Sequence, residues 1–275
     1  MGVCILIIRN ASSNEEFVVN IWDDKYKSSG LTTSFSKDDI KAIDSVDFVI
    51  PRVKKEYKST VIQMISKRSL KLKCYEGELN VTFHKKMFTQ NPSYPTILKG
   101  AAIQRFFYTL QMSQGQIEYL DENSYLSKFG NSNKAQHHNV ERIAMQGMTG
   151  ANDKLRIVMC IVPAGYYLGN SCNYILPHKD IDIKALLAIL NSKAINWFFR
   201  CFSTNSNVNG YEVDNFPIPF VDLDRQKQLS ALVDSIEKKK ALSVMSDISE
   251  EENKINDVVY SLFELSDKQI KIIEE

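Results

Sequence analysis

The stretch from Leu186 to Phe220, LLAILNSKAINWFFRCFSTNSNVNGYEVDNFPIPF, constrains the fold more than any other part of the chain. Entering and crossing it, Ile183, Leu187, Leu190, Ala194 and Trp197 or Phe198 recur at spacings of three and four. That period lines apolar side chains along one face of a helix, and Asp180 or Asp182 stands where a cap is needed. The aromatic end of this helix reads as core. After it, Ser203 to Gly210 is a run of Ser, Thr and Asn closed by glycine, which is turn chemistry. Pro217 and Pro219 then exclude a helix or a central strand and mark an exit from the preceding unit.

The rest of the chain alternates more finely. Residues 3–8, VCILII, are a continuous apolar run, and FVVNIW follows after a polar turn, so the two read as a hairpin or neighbouring strands. An all-apolar strand needs cover on both faces, so this one reads as part of a sheet whose other strands lie elsewhere. Residues 23–38 read as linker, and 39–69 as helical, ending on Val61, Ile62 and Ile65. Between 70 and 175 the strand candidates LKLKCY, LNVTFH, LRIVMCIV and SCNYIL are separated by glycine-marked loops. A helix at 224–241 carries Leu229, Leu232, Val233 and Ile236. Ser249 and Glu252 form a capping-box pattern before a helix with Ile255, Val258, Val259 and Leu262, and Ser266 with Gln269 opens a short last one. The expected class is α+β: an irregular, twisted, β-rich recognition region over 39–221 packed with helices, then a helical segment over 222–275.

Charge and cysteine usage narrow the function classes. Net charge is only +1, yet residues 52–73 hold eight Lys or Arg against the single acid Glu56. Such asymmetry suits a chain with one nucleic-acid-facing side, and equally a solvated basic helix. Five cysteines at irregular spacing give no C-x-x-C pair and no disulfide framework; buried free thiols in a cytoplasmic protein are the plain reading. No apolar run reaches the roughly 18 residues of a membrane helix, so no membrane partner is expected.

Catalytic patterns are absent from the residues. Asn91-Pro92-Ser93-Tyr94 resembles the Asn-Pro-Pro-aromatic loop that holds a flipped adenine, but it lacks the second proline and an upstream Gly-rich cofactor loop, and reads as a turn. Glu76 and Glu78 stand alone, without the Lys of a nuclease centre. His137 and His138 have no further ligand at metal spacing and read as a solvated loop. No catalytic or metal site is expected.

Six stretches taken in order carry a family likeness: GELNVTFHKK (77–86), ILKGAAIQRFFYTLQMSQGQIEYLD (97–121), ERIAMQGMTGANDKLRIVMCIV (141–162), GNSCNYIL (169–176), the 186–220 stretch and INDVVYSLFELSDKQIKIIE (255–274). Together they resemble the C-terminal specificity domain of TaqI-like adenine methyltransferases, in the version found in fused type IIG restriction-modification proteins. The resemblance implies that residues 1–38 are the closing strands of a methyltransferase-like domain plus a linker. It also implies that the chain binds double-stranded DNA and works with a methyltransferase catalytic domain in cis or in trans. S-adenosylmethionine, and Mg²⁺ where a nuclease is fused, would belong to the portion not present, with no cofactor in this chain. NFPIPFVDLDRQKQLSALVDSI (215–236) also resembles specificity subunits of type I restriction systems. A type I-like subunit and a truncated, interaction-only relic therefore stand as alternatives.

Base edges are read by Arg, Asn and Gln, and phosphates by Lys, Arg, Ser and Thr, preferably on loops held by a rigid frame. Three loops qualify. The first holds Gln104 and Arg105. The second sets Arg142, Gln146, Thr149, Asn152, Lys154 and Arg156 around Gly147 and Gly150. The third holds Asn205, Asn207 and Asn209. Structural roles compete at each: ion pairing for Arg142 and Arg156, helix capping and turns for the Asn run.

Overall fold

The computed structural model describes residues 17–22, 28–43, 50–111, 116–203 and 205–275, with side chains left out at 17, 20–22 and 28–32. The strand expected over residues 3–8 lies outside them. In chain order the elements are β1 (Phe17–Trp22), β2 (Ser28–Phe35), α1 (Lys37–Ile43), α2 (Lys58–Ser66), β3 (Arg68–Leu70), β4 (Cys74–Glu76), β5 (Phe88–Thr89), β6 (Thr96–Leu98), β7 (Glu118–Leu120), α3 (Glu122–Phe129) and β8 (Arg142–Gln146). Then follow β9 (Met159–Val162), β10 (Tyr167–Leu168), β11 (Cys172–Ile175), α4 (Ile183–Leu190), α5 (Lys193–Phe202), α6 (Gly210–Asp214), β12 (Ile218–Pro219), α7 (Leu223–Leu242), α8 (Ser249–Leu262) and α9 (Asp267–Glu274). Small sheets plus helices make the α+β fold expected from the sequence.

One sheet positions everything else. It runs β4-β11-β8-β9, antiparallel throughout. Successive side chains of a strand point to opposite faces. Ile143, Met145, Met159 and Ile175 accordingly join the main helical core, while Ala144, Cys160, Val162, Cys172 and Tyr174 join a second cluster with Leu98, Ile103 and Leu168. Burial on both faces explains why LRIVMCIV and SCNYIL read as apolar runs rather than alternating ones. A second sheet, β10-β6-β7-β5, is antiparallel except for the parallel β10–β6 pair, and covers a third cluster around Leu79, Leu120 and Tyr167. The two sheets approach closely at Gly77, where a Cβ would lie 2.1 Å from the Gly169 carbonyl oxygen, so only glycine fits.

The main core draws on α1, α2, α4, α5 and α7 to α9, with Leu229, Val233, Ile236, Val259 and Phe263 free of solvent. Expected caps are present at α4, where Asp182 accepts from the N–H groups of Lys184 (2.9 Å) and Ala185 (3.1 Å), and at α9, where Ser266 and Gln269 form a capping box. At α8 the expected box is not formed, because Ser249 is already the first helical residue and Ile248 stands at the cap; Asp247 Oδ1 accepts from Ser249 N–H at 3.0 Å, and Glu252 pairs with Arg105 instead.

Four expectations are corrected. Residues 28–35 are not linker but a strand, because β1 supplies its pairing partner and Phe35 enters the core. Among the described residues, 39–69 are not one helix: α1 ends at Ile43, Pro51 precedes α2, which opens at Lys58, and Arg68 enters β3. LNVTFH is a turn: Asn80 Oδ1 accepts from Thr82 N–H (3.0 Å) and Phe83 N–H (2.9 Å), outcompeting a ladder. The single helix over 183–200 is two, interrupted at Asn191-Ser192.

That interruption has a use. Asn191 donates to the Met159 carbonyl (2.9 Å) and accepts from Met159 N–H (3.2 Å). One turn later Asn196 accepts from the N–H groups of Arg156 (2.7 Å) and Ile157 (3.2 Å) and donates to the Lys154 carbonyl (2.7 Å). Two helix-borne amides thus substitute for a missing strand along the edge leading into β9. Asn196→Ala leaves two N–H groups and one carbonyl without partners; a loss of about 3 kcal/mol in urea unfolding is expected, at about 1–3 kcal/mol per buried orphan.

Glu118 of β7 pairs with Lys85 and Lys99. Burial alone would raise its carboxyl, but the two ammonium groups outweigh it and hold it below the usual range. A depressed folded pKa gives stability that is full above the unfolded value of about 4.3 and fades as pH falls through the lowered one. Glu118→Gln should therefore flatten the stability curve in that acid window, measured by urea titrations at successive pH, and leave its slope near pH 7 unchanged.

Candidate nucleic-acid interface

The sequence's second and third candidate loops fold into one surface. Thr149 N–H donates to the Ser206 carbonyl (2.9 Å), Val208 N–H donates to the Gly147 carbonyl (3.0 Å), and Met148 bridges Asn207. Arg156 locks the pair. Its Nε donates to Thr149 Oγ1 at 2.8 Å and its Nη2 to the Asn205 carbonyl at 2.7 Å. The guanidinium lies over the Phe199 ring, 5.1 Å from its centroid. Asn173 adds a hydrogen bond to the Val208 carbonyl at 2.6 Å.

This arrangement separates frame residues from presented ones. Arg142 has no exposed surface: it meets Glu78 at 2.8 Å and donates to the carbonyls of His137 (3.0 Å) and Tyr166 (2.9 Å). Arg156 is 2% exposed. Both were expected among the DNA-contacting residues. Both instead hold backbone in place, Arg142 from the start of β8 and Arg156 from the segment before β9, with their side chains turned inward. Thr149 is buried as the acceptor for Arg156, and Gln146 donates to the Ile103 carbonyl at 2.7 Å. Asn209 caps α6, its amide donating to Glu212 at 2.9 Å. Arg105 pairs with Glu252 of α8 at 2.5 Å, next to Phe106, whose φ of 69° is unusual for a bulky residue.

Asn152, Lys154, Asn205 and Asn207 are left exposed on the joined loops. Asn205 Oδ1 takes the Asn207 N–H at 2.8 Å, which fixes the turn and leaves the Asn207 amide outward. The sequence reading missed Arg200 of α5, which is exposed and close enough to Arg156 to lower its pKa, after burial and against the opposing pull of Glu212 and Asp153. Its position one turn before the Asn run was the available signal. Met148, 65% exposed between the two glycines, was also passed over.

The remaining candidates settle as structure. His137 and His138 do not face solvent together: His137 contacts the Tyr174 hydroxyl (2.8 Å), and His138 is buried, stacked 4.3 Å from Tyr167. Asn91 Oδ1 accepts from Ser93 N–H at 3.0 Å, a plain turn. Burial pushes the thiols of Cys74 and Cys172 up to about 12, so neither is a thiolate near neutrality. In the basic segment, Lys58 pairs with Asp39 (2.6 Å), Lys67 with Glu264, and Arg68 with the Asn215 carbonyl (2.6 Å), so much of its charge serves the fold. Among the described residues, no helix is long and apolar enough to cross a membrane.

Residues 95–218 match the TaqI-like C-terminal specificity domain. The match contains both joined loops and bears out the resemblance read from the sequence. A solved structure of the type IIL restriction-modification enzyme MmeI in complex with DNA shares the fold, with a TM-score of 0.50 at 11% identity over 74% of this chain. The chain spans only 34% of that MmeI chain. No curated protein matches.

The buried Arg142–Glu78 pair gives a direct check on frame versus reader. Breaking one partner of a buried ion pair costs about 3–5 kcal/mol, whereas replacing both with apolar groups is often near neutral. Arg142→Met should lose stability in that range, and adding Glu78→Leu should recover the part due to the unpaired carboxylate but not the part due to the orphaned His137 and Tyr166 carbonyls and Leu168 N–H. A double variant as unstable as the sum of the singles would refute a pairwise role.

Proposed function

We propose that this chain is a sequence-specific DNA-recognition module of a restriction-modification adenine methyltransferase, of the kind to which an endonuclease can be fused. The observation that carries the reading is the specificity-domain match over 95–218. The fold shared with an enzyme solved on DNA supports it. The joined loops and the end of α5 supply the chemistry: Asn152 and Asn207 are amides suited to adenine edges, and Lys154 and, on α5, Arg200 are cations suited to phosphates. A rigid frame with exposed amides at its tips is what base reading requires.

In this reading the chain positions, and a methyltransferase domain in cis or in trans performs the methyl transfer with S-adenosylmethionine. Any Mg²⁺ would serve a fused nuclease. Lys154 and Arg200 bind without regard to sequence, while the asparagines discriminate.

Fluorescence anisotropy on duplex DNA across a salt series tests the proposal. Lys154→Ala and Arg200→Ala should each reduce the slope of log K against log salt by about 0.9 and weaken all sequences alike. Asn207→Ala should instead change the order of preferred sequences, by about 1–3 kcal/mol at the position it reads. Undetectable binding at low salt, both alone and with a methyltransferase catalytic portion supplied, would sink the proposal.

A further inference from the structure

Phe83 is 72% exposed, although it belongs to an aromatic cluster. Its ring stands edge-on to His84 (4.9 Å, 86°) and Phe129 (6.1 Å, 63°). His84 is itself edge-on to Tyr125 (5.5 Å) and Phe129 (5.0 Å). The turn beneath is fixed by Asn80, whose side chain accepts from Thr82 and Phe83 and whose N–H donates to His84 Nδ1 at 3.0 Å. A large apolar ring is thus held rigidly in water by its own pedestal.

Hydrogen bonds connect this turn to the joined loops through one row of surface turns. Val81 N–H donates to Asn170 Oδ1 (3.3 Å), and Asn170 N–H donates to the Leu79 carbonyl (2.7 Å). The next residue, Ser171, accepts from Gly147 N–H through its carbonyl (2.8 Å) and from Gly100 N–H through its hydroxyl (2.9 Å). Gly147 in turn accepts from Val208.

The local charge is positive. Lys86 and Lys128, on the two segments that meet at Phe83, are exposed and have no ion-pair partner among the described residues. Of the nearby acids, Glu118 is balanced by Lys85 and Lys99, while Asp121 and Glu122 keep their charge and are turned to Ser124 and to the Tyr167 hydroxyl (2.8 Å).

We infer that the turn 80–84 is a second nucleic-acid contact, in which the Phe83 ring stacks on or wedges beside an unstacked base while Lys86 and Lys128 hold the flanking phosphates. An apolar wedge between bases and lysines on the backbone are a recurring combination for bending or opening duplexes. This rests on the DNA-reading function proposed above and assigns it a further contact residue.

The test uses the full chain and duplexes carrying 2-aminopurine at successive positions, a fluorophore that brightens when unstacked. Wild-type binding should raise fluorescence at one position. Phe83→Ala should weaken affinity about 5–150-fold, the loss expected for about 1–3 kcal/mol of stacking, and abolish the rise. Phe83→Trp should retain both. Lys86→Ala with Lys128→Ala should lower the salt slope by about two units. If wild type binds and Phe83→Ala binds equally well with the same fluorescence, the second contact is overturned while DNA reading stands. If wild type binds no duplex at all, both readings fall together.

Discussion

Arg142 and Glu78 meet with no solvent access to either side chain, and the geometry of both sheets depends on that meeting. Arg142 opens β8 in the central sheet. Glu78 follows β4 and takes the N–H of Leu168 in the second sheet at 2.9 Å. Burial pushes the Glu78 carboxyl upward, and Arg142 opposes it most strongly. A guanidinium in such a site keeps its proton, and its fork distributes donors to several backbone carbonyls at once. The pair therefore joins two sheets whose own strands are only two to five residues long. Sheets that short contribute little hydrogen-bonding cooperativity, so side chains must supply the register.

The same device recurs wherever strand pairing runs out. Arg156 holds two loops together through Thr149 and Asn205, and Asn191 and Asn196 satisfy the edge entering β9. Each is a polar side chain withdrawn from water to replace backbone hydrogen bonds. An unpaired buried amide is costly, so every one of these substitutes is also a constraint on where the next turn can lie. The irregularity of the fold follows from this. Turns are fixed individually by side chains, and they carry exposed residues such as Asn152 and Asn207 at rigid positions.

Much of the scaffold was legible because it obeys local rules. The caps at Asp182 and Ser266, the apolar face of α7 and the doubly buried strands are readable from spacing and residue type alone. What escaped is set by distant partners. Residues 28–35 carry a linker's composition, yet β1 makes them a strand. LNVTFH carries a strand's composition, yet Asn80 makes it a turn. Glycines at 147 and 150 correctly marked a loop, but β8 extends to Gln146, so Arg142 lies on a strand that the loop reading absorbed.

The candidate contacts show a sharper limit. Arginines near glycines look alike in sequence whether they face a phosphate or a carbonyl, because both environments select the same donor fork. Arg142 and Arg156 resembled readers for that reason, while Arg200, near the end of a helix that is mostly core, did not. Burial separates them, and burial is a tertiary property. The division has a functional consequence. With the inward arginines holding the frame, the side chains of Asn152, Lys154 and Asn207 stand exposed on loops that other residues fix, Asn205 among them. Changes at Asn152, Lys154 and Asn207 therefore alter the proposed contact surface and leave the buried frame in place.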